Sequence, residues 1–494
     1  MPKLTLLTEE LIHKIFDEAF QLLEDPGVKV QSSAARTLLA TAGARVDETR
    51  EVVAIPQGVV RRALETTPRE FWLYDRFGKP AVRYGGDAVH FDPGSSGVHV
   101  LDPQTLEHRP SLSEDLIRVV KVTEMLPQFA AQSTAIVCNE VPKEIGDLWR
   151  LFLVLLYSAK PIVTGAFSAH GGKAMFEMLE IIAGGKKELA AKPQAVFDVC
   201  PSPPLIWSEF GAQNLIDLAR AGVPAQIVSM PLAGAAAPVT ILGSVVQHAA
   251  ECLSGIAIHQ LANPGAPIVW GGAPAIFDMR QGTTPMGAIE TAMMDACYTQ
   301  VGKSLNLPTH TYLGASDAKL VDAQAGLESG MSALIGGLAG INMISGAGML
   351  DFLACFSVEK LVIDAEAIGM VQRLLSGVQV HTDPLAVAMF AGINFRGDFL
   401  KQKTTRQLFA KEQVLPSMVI ERGSIRSWQE KGSRDAFARA KIRVEELLAA
   451  YQRPAIDPTM ESELRAFVAS LARGAGMEEI PAEATAKTGR CRGM

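Results

Sequence analysis

From about residue 129 the chain repeats one pattern, a short apolar segment followed by a longer stretch with helical spacing. The segments are FAAQSTAIVCNE, KPIVTGAFS, QAVFDVCPSPP, PAQIVSMPLAG, APIVWGGAP, PTHTYLGAS and INMISGAG. Between them lie stretches such as SEFGAQNLIDLARAG, with Phe210, Leu215, Ile216, Leu218 and Ala219 at helical spacing, and SVEKLVIDAEAIGMVQRLLSG, which closes on Gly377. Strands that are apolar on both faces and separated by helices pair in parallel through helical crossovers. These units, with an eighth expected near NFRGDFL at 394–400, predict an α/β fold of the (β/α)8 (TIM) barrel type. An open doubly wound sheet is the structural rival, because alternation alone does not count closure. No GxGxxG lies between a strand and a helix and no P-loop is present, so nucleotide binding by those routes has no support.

The pattern divides the chain. Residues 1–115 read as an N-terminal mixed α/β region with Pro/Gly turns at DPGVKV and DPGSSG, residues 116–410 as the barrel, and residues 411–494 as a C-terminal helical extension. In that extension SRDAFARAKIRVEELLAAYQ offers Ala436, Ala440, Ile442, Val444 and Leu447 as a packing face, and the tail EEIPAEATAKTGRCRGM has the composition of a disordered segment. The first residues lack a signal-type apolar core and soon become an amphipathic helix with Leu11, Ile15, Ala19, Leu22 and Leu23 on one face, so a cytoplasmic location is expected.

Composition sets further limits. With 494 residues, 48% hydrophobic and 20% charged, the chain is not disordered as a whole. A net charge of -7 without a basic stripe argues against a nucleic-acid partner. Two long stretches, Ala221 to Ala250 and Ser329 to Leu350, carry no formal charge, but Gly, Pro, Gln226, Gln247 and Asn342 interrupt them, so buried strand–helix pairs are expected and no membrane contact. The six cysteines lie far apart with no CxxC and no Cys/His ligand spacing, which reads as reduced thiols and no metal site.

A barrel carries its site at the C-terminal ends of the strands. Those ends offer Asn139, Glu140, Ser168, His170, Cys200, Ser202, Ser229, Met230, Trp270 to Gly272, Tyr312 to Lys319, and Ser345 to Gly348. Small residues dominate, which suits a roomy mouth for an organic ligand better than a tight metal cluster. The one dense polar motif, SDAKLVDAQAGLE, reads in two ways. Either Asp317 or Asp322 caps a helix with Lys319 in solvent, or Ser316, Asp317 and Lys319 stand over the mouth.

The segments PAQIVSMPLAGAAAPVTILGSVVQHAAECLSG, NPGAPIVWGGAPAIFDMRQGTTPMGAIE, SDAKLVDAQAG and EKLVIDAEAIGMVQRLLSG, within about Thr8 to Arg422, resemble the trimethylamine methyltransferase family. Within that family the chain resembles the members without pyrrolysine, of the glycine betaine or quaternary amine:corrinoid methyltransferase kind. That resemblance implies a barrel that passes a methyl group from an amine to the cobalt of a corrinoid (cobalamin), free or carried by a corrinoid protein partner. A quaternary ammonium departs as a neutral amine and needs no general acid, and the nucleophile is Co(I), so no catalytic residue is nominated. The protein has to supply shape, alignment and electrostatics. The founding trimethylamine enzymes insert pyrrolysine near the strand end that here reads INMISGAGML, where ordinary residues stand. A pre-charged amine, with glycine betaine foremost, is therefore the expected substrate, with trimethylamine or another betaine as the alternative. Two features depart from the family: Ser345 and Gly346 replace a His-Asp pair, and KQKTTRQLF replaces a His-rich segment. These leave a noncatalytic amine-binding or assembly relative as a second class, and a small-molecule lyase or pterin-linked methyltransferase as a weaker enzymatic alternative.

On this basis the cationic head is expected against Trp270, Tyr312 and Phe91, the last in the turn HFDPGSSG, although each isolated aromatic reads equally as core. A substrate carboxylate is expected at Arg280, unless Asp278 holds it, or at Lys319. The corrin is expected against Ser316, Asp317, Ser345, Gly346 and Gly348, where bare backbone would let a flat macrocycle approach. His170 and His310 read as structural. The amine, the acceptor and any homo-oligomer are left open.

Overall fold

The computed structural model describes residues 2–391, 395 and 399–477. Eight parallel strands form one sheet: β1 (His90–Pro93), β2 (Gln132–Ser133), β3 (Ile162–Thr164), β4 (Ala195–Val199), β5 (Ala225–Ile227), β6 (Ile268–Gly272), β7 (Thr309–Thr311) and β8 (Met343–Ala347). The crossover helices are α1 (Ser113–Met125), α2 (Gly146–Tyr157), α3 (Ala169–Ala183), α4 (Glu209–Ala221), α5 (Ile241–Ala262), α6 (Ile289–Ser304), α7 (Ala323–Ala339) and α8 (Val358–Leu375). Strands pair in chain order from β2 to β8, and β8 returns to β1 with Met343 opposite His90 and Ile344 opposite Phe91. Between β1 and β2 the Ala130 N–H donates to the Phe91 carbonyl and the Ser133 hydroxyl to the Gly94 carbonyl, both at 2.9 Å. These bonds complete the circle, and the fold is the expected (β/α)8 barrel.

The strand that completes it is not the expected one. His90–Pro93 takes the place assigned to NFRGDFL, most of which lies outside the described residues, so the barrel draws its first strand from before residue 116. The reason is that a strand paired along both edges has its backbone satisfied whatever its side chains are. HFDP can therefore carry a carboxylate into the interior and needs no apolar run of its own. The tail predicted as disordered, 478–494, also lies outside the described residues.

A hairpin of Phe71–Tyr84 plugs the N-terminal end of the barrel, where Leu73, Val82 and Tyr84 pack against Ala131, Val163, Val196, Val269 and Met343. This leaves the C-terminal end as the only mouth among the described elements of the barrel. Helix Glu9–Glu24 begins at Thr8, whose hydroxyl accepts the Leu11 N–H, and buries Ile15, Ala19, Phe20 and Leu23. Burial of such side chains stabilises by about 1.5–3 kcal/mol each for the larger ones. Helix α5, long and apolar enough to cross a membrane, is instead a core helix buried from Ser244 to Gln260 and packed against Glu9–Glu24, Gln57–Thr66, α4 and α6. Helix Ala436–Ala450 lies against α1 and α8, burying Ala440, Val444 and Leu447, while Ala436 is exposed.

Candidate active site

Alternation along the strands decides what enters the barrel. In β4, Phe197 points outward onto Phe176 of α3, so Val196 and Asp198 point inward. In β7 the Thr311 hydroxyl donates outward to Asp295 of α6 at 2.6 Å, which turns His310 inward. Above the apolar plug the interior is consequently polar. The Ser345 hydroxyl of β8 donates to Asp92 Oδ1 of β1 at 2.5 Å and lies 3.0 Å from His310 Nε2. The Tyr312 hydroxyl donates to Asp198 Oδ2 at 2.7 Å, and Ser95 Oγ lies 3.0 Å from the Tyr312 oxygen. Gln226 of β5 donates to Asp198 Oδ1 at 2.6 Å and lies 3.2 Å from the Tyr84 hydroxyl below.

Three groups in this region keep a polar atom buried without a partner: Asp92 Oδ2, His310 Nδ1 and Arg150 Nε. Gly271 on the neighbouring strand stands beside His310, where a side chain would press on Nδ1. Burial drives the Asp92 carboxyl well above the carboxylate range, against the Ser345 hydrogen bond, and the nearby Asp198 charge raises it further. Asp198 is raised to about 6, by burial first and against the Tyr312 and Gln226 hydrogen bonds. His310 is lowered to about 3 by burial and is neutral. At neutral pH the inner end of this network therefore carries an ionised Asp198 beside a neutral His310, while Arg150 at the mouth end keeps its charge. The Asp198 carboxylate can offset the charge of one cation.

The expected site residues divide. Tyr312 and Ser345 enter the interior network. Trp270 is fully buried on the outer side of β6, where its indole N–H donates to the Tyr298 carbonyl of α6 at 3.0 Å and its ring meets Gly302. It does not face the mouth. Phe91 is likewise buried with the helix-facing core, because Asp92 takes the inward position of β1. Arg280 is an exposed loop residue paired with Asp278 at 2.8 Å. Lys319 is paired with Asp351 at 2.9 Å and lies 3.8 Å from the centre of the Phe352 ring.

The polar motif after β7 ties loops together. The Ser316 hydroxyl donates to Glu328 of α7 at 2.6 Å, and Asp317, raised to about 6 chiefly by burial, accepts from the Met286 and Gly287 N–H groups at 2.8 and 2.9 Å. Asp322, not Asp317, caps α7, accepting from Gln324 and Ala325. Gly346 and Gly348 present no open face to a macrocycle. A Cβ at Gly346 would strike the Leu313 carbonyl, and at Gly348, with φ 84°, it would strike the Phe356 ring. Their smallness is explained by neighbours inside the protein.

The sequence reading missed Asp92, Asp198, Gln226 and Arg150, and took His310 as structural. The loop after β8 also went unread: Asp351, Phe352 and Leu353 are three consecutive non-glycine residues with positive φ (49°, 57° and 67°). Each costs about 1 kcal/mol or more in that conformation. The turn brings Leu353 onto Tyr312, Val228, Ala275 and Met286 at the mouth.

A closed barrel plugged at its N-terminal end, with carboxylates in its interior, places the candidate site at the C-terminal ends of the strands, where barrel enzymes carry theirs. Comparison with known proteins narrows the class: the model of the family "Trimethylamine methyltransferase (MTTB)" matches residues 1–476, and the chain belongs to that family of methyltransferases. It is 32% identical to the trimethylamine methyltransferase MttB1 of Methanosarcina mazei over 472 residues, covering 94% of this chain and 95% of that one. It is 28% identical to the glycine betaine methyltransferase of Desulfitobacterium hafniense over 481 residues, covering 97% of this chain and 99% of that one. Among solved structures, the Methanosarcina barkeri monomethylamine methyltransferase superposes with a TM-score of 0.54 at 14% identity, covering 90% of this chain and 89% of that one, a likeness of fold.

Proposed function

We propose that the protein removes a methyl group from a quaternary amine, glycine betaine foremost, and passes it to the cobalt of a corrinoid, free or carried by a partner protein. The observation that carries this reading is Asp198, an ionisable carboxylate inside the barrel that Tyr312 and Gln226 hold in place. A quaternary ammonium has no N–H to donate, so its site needs a nearby anion and aromatic or apolar faces to offset desolvation. Asp198 supplies the charge, and Tyr312, stacked edge-on against His310 at 5.0 Å, supplies the ring.

The corrinoid acts as methyl acceptor and, when present, supplies the nucleophilic metal. The residues expected to face it do not fit that role, because Ser316, Asp317 and Ser345 are committed to internal hydrogen bonds and both glycines meet protein atoms. Phe167, Met230 and Met279, each exposed and following β3, β5 and β6 in the chain, are better candidates to meet a flat ring. This chain's own residues orient the amine and keep water from it, and no proton needs to move because the leaving amine is neutral.

Proton NMR of N,N,N-trimethylglycine incubated with the enzyme and a Co(I) corrinoid tests the reading. The expected result is the appearance of dimethylglycine that depends on both. Demethylation of none of glycine betaine, carnitine, proline betaine and trimethylamine would instead favour a noncatalytic amine-binding relative.

A further inference from the structure

We propose that Arg150 is a specificity residue that receives the carboxylate of a zwitterionic substrate, an inference that rests on the function proposed above. Arg150 lies in α2, GDLWRLFLVLLY, a helix buried from Gly146 to Leu156 in which it is the sole cation. It is 1% exposed. Burial lowers its pKa to about 10, which still leaves it charged at neutral pH. Taking a guanidinium out of water is costly unless a carboxylate and a full set of acceptors meet it.

Among the described residues no carboxylate forms an ion pair with Arg150. Asp147, one turn earlier, accepts instead from the N–H groups of Leu148 and Phe167 at 2.8 and 2.9 Å. Both hydrogen bonds of the guanidinium leave from Nη1, to the Thr134 carbonyl at 3.0 Å and the Ser96 hydroxyl at 3.2 Å, while Nε is buried with no acceptor. The Phe167 ring covers the group, its centre 4.5 Å from Cζ.

The three contacts fix the location. Ser96 follows β1, Thr134 follows β2 and Phe167 follows β3, so the charge stands at the mouth end of the barrel. Ser96 has φ 65°, a strained conformation for a residue with a Cβ. Its neighbour Ser95 bonds Tyr312, and Tyr312 bonds Asp198. A cation with no carboxylate in ion-pair contact and an anion with no cation in contact are thus joined at the mouth through adjacent residues, Ser96 bonding Arg150 and Ser95 reaching Asp198 by way of Tyr312. A ligand with an ammonium at one end and a carboxylate at the other answers both, a planar carboxylate supplying the acceptor that the guanidinium Nε lacks. Arg280 and Lys319 are already paired elsewhere and leave this role to Arg150.

Isothermal titration of the wild type, Arg150→Gln and Arg150→Lys with N,N,N-trimethylglycine and with tetramethylammonium, beside the melting temperature of each protein, tests the assignment. The wild type is expected to prefer the carboxylate-bearing ligand. Arg150→Gln is expected to lose on the order of a hundredfold in affinity for it, so that the preference collapses, with Arg150→Lys intermediate. Equal loss for both ligands would make Arg150 a structural tie and overturn the assignment. So would a wild type that binds tetramethylammonium as tightly as trimethylglycine, a result that stands even if Arg150→Gln does not fold. If the wild type demethylates a carboxylate-free quaternary amine while ignoring every betaine, the inference fails and methyl transfer from a quaternary amine survives. Binding of neither ligand, together with no demethylation, overturns both.

Discussion

Replacing Asp198 with asparagine should separate the cost of an internal charge from its use. The carboxyl, raised to about 6 from 3.8, binds its proton more tightly in the folded chain than in the unfolded one. Stability therefore falls as pH rises from about 4 to about 6, and above that window the full penalty, about 3 kcal/mol, is present. Asp198→Asn removes this slope. At pH 7 the recovered ~3 kcal/mol is offset by about 1–3 kcal/mol, because Tyr312 and Gln226 both donate to the carboxylate and the new amide nitrogen must face one of them. The variant should accordingly be as stable as the wild type at pH 7 or more stable by up to about 2 kcal/mol. Its amine affinity should not survive: an ion pair at ~5 Å with an effective dielectric of ~20 contributes about 3 kcal/mol, on the order of a hundredfold. Urea denaturation from pH 4 to 8 and titration calorimetry with trimethylglycine read the two effects. The reasoning is refuted if the variant keeps the wild-type pH slope, or if it folds normally and binds the amine undiminished.

The same titration predicts that amine binding by the wild type weakens about tenfold from pH 7 to pH 5, as the ionised fraction of Asp198 falls about tenfold; a flat calorimetric profile would exclude this carboxylate as the counter-ion. Gly346→Ala should lower the melting temperature by the equivalent of about 1–3 kcal/mol, since the added methyl meets the Leu313 carbonyl. A thermally silent alanine variant would return this glycine to a role at the surface. Trp270→Ala should cost about 3–5 kcal/mol of stability by emptying the space under α6, without changing the affinity of the protein that remains folded. Loss of binding at unchanged stability would contradict its place outside the barrel.

The repeating strands and helices were legible because strands buried on both faces leave continuous apolar runs. That same burial hid the direction of each side chain. In IVWGG every position is buried, so nothing in the pattern says that Val269 faces the plug and Trp270 faces α6. Gly346 and Gly348 looked like an open face because a glycine shows the need for space but not which neighbour imposes it. Strand β1 escaped notice because HFDP is short and polar, and its backbone is satisfied by partners far along the chain. The interior charges did leave a trace: Asp198 interrupts the apolar segment QAVFDVC, and Arg150 interrupts WRLFLVLLY. A lone charge inside a buried element is costly unless it is used, and those two positions were the most informative ones in the chain.

The central claim, methyl transfer from a quaternary amine to cobalt with the amine held at Asp198, is tested most directly by following the absorption spectrum of Co(I) cobalamin mixed with enzyme and trimethylglycine. The account predicts conversion to methyl-Co(III) by the wild type and a rate at subsaturating amine lowered on the order of a hundredfold in folded Asp198→Asn, following the loss of the ion pair. A Co(I) spectrum left unchanged by wild-type enzyme with every quaternary amine offered, or equal rates in the two proteins, would contradict it.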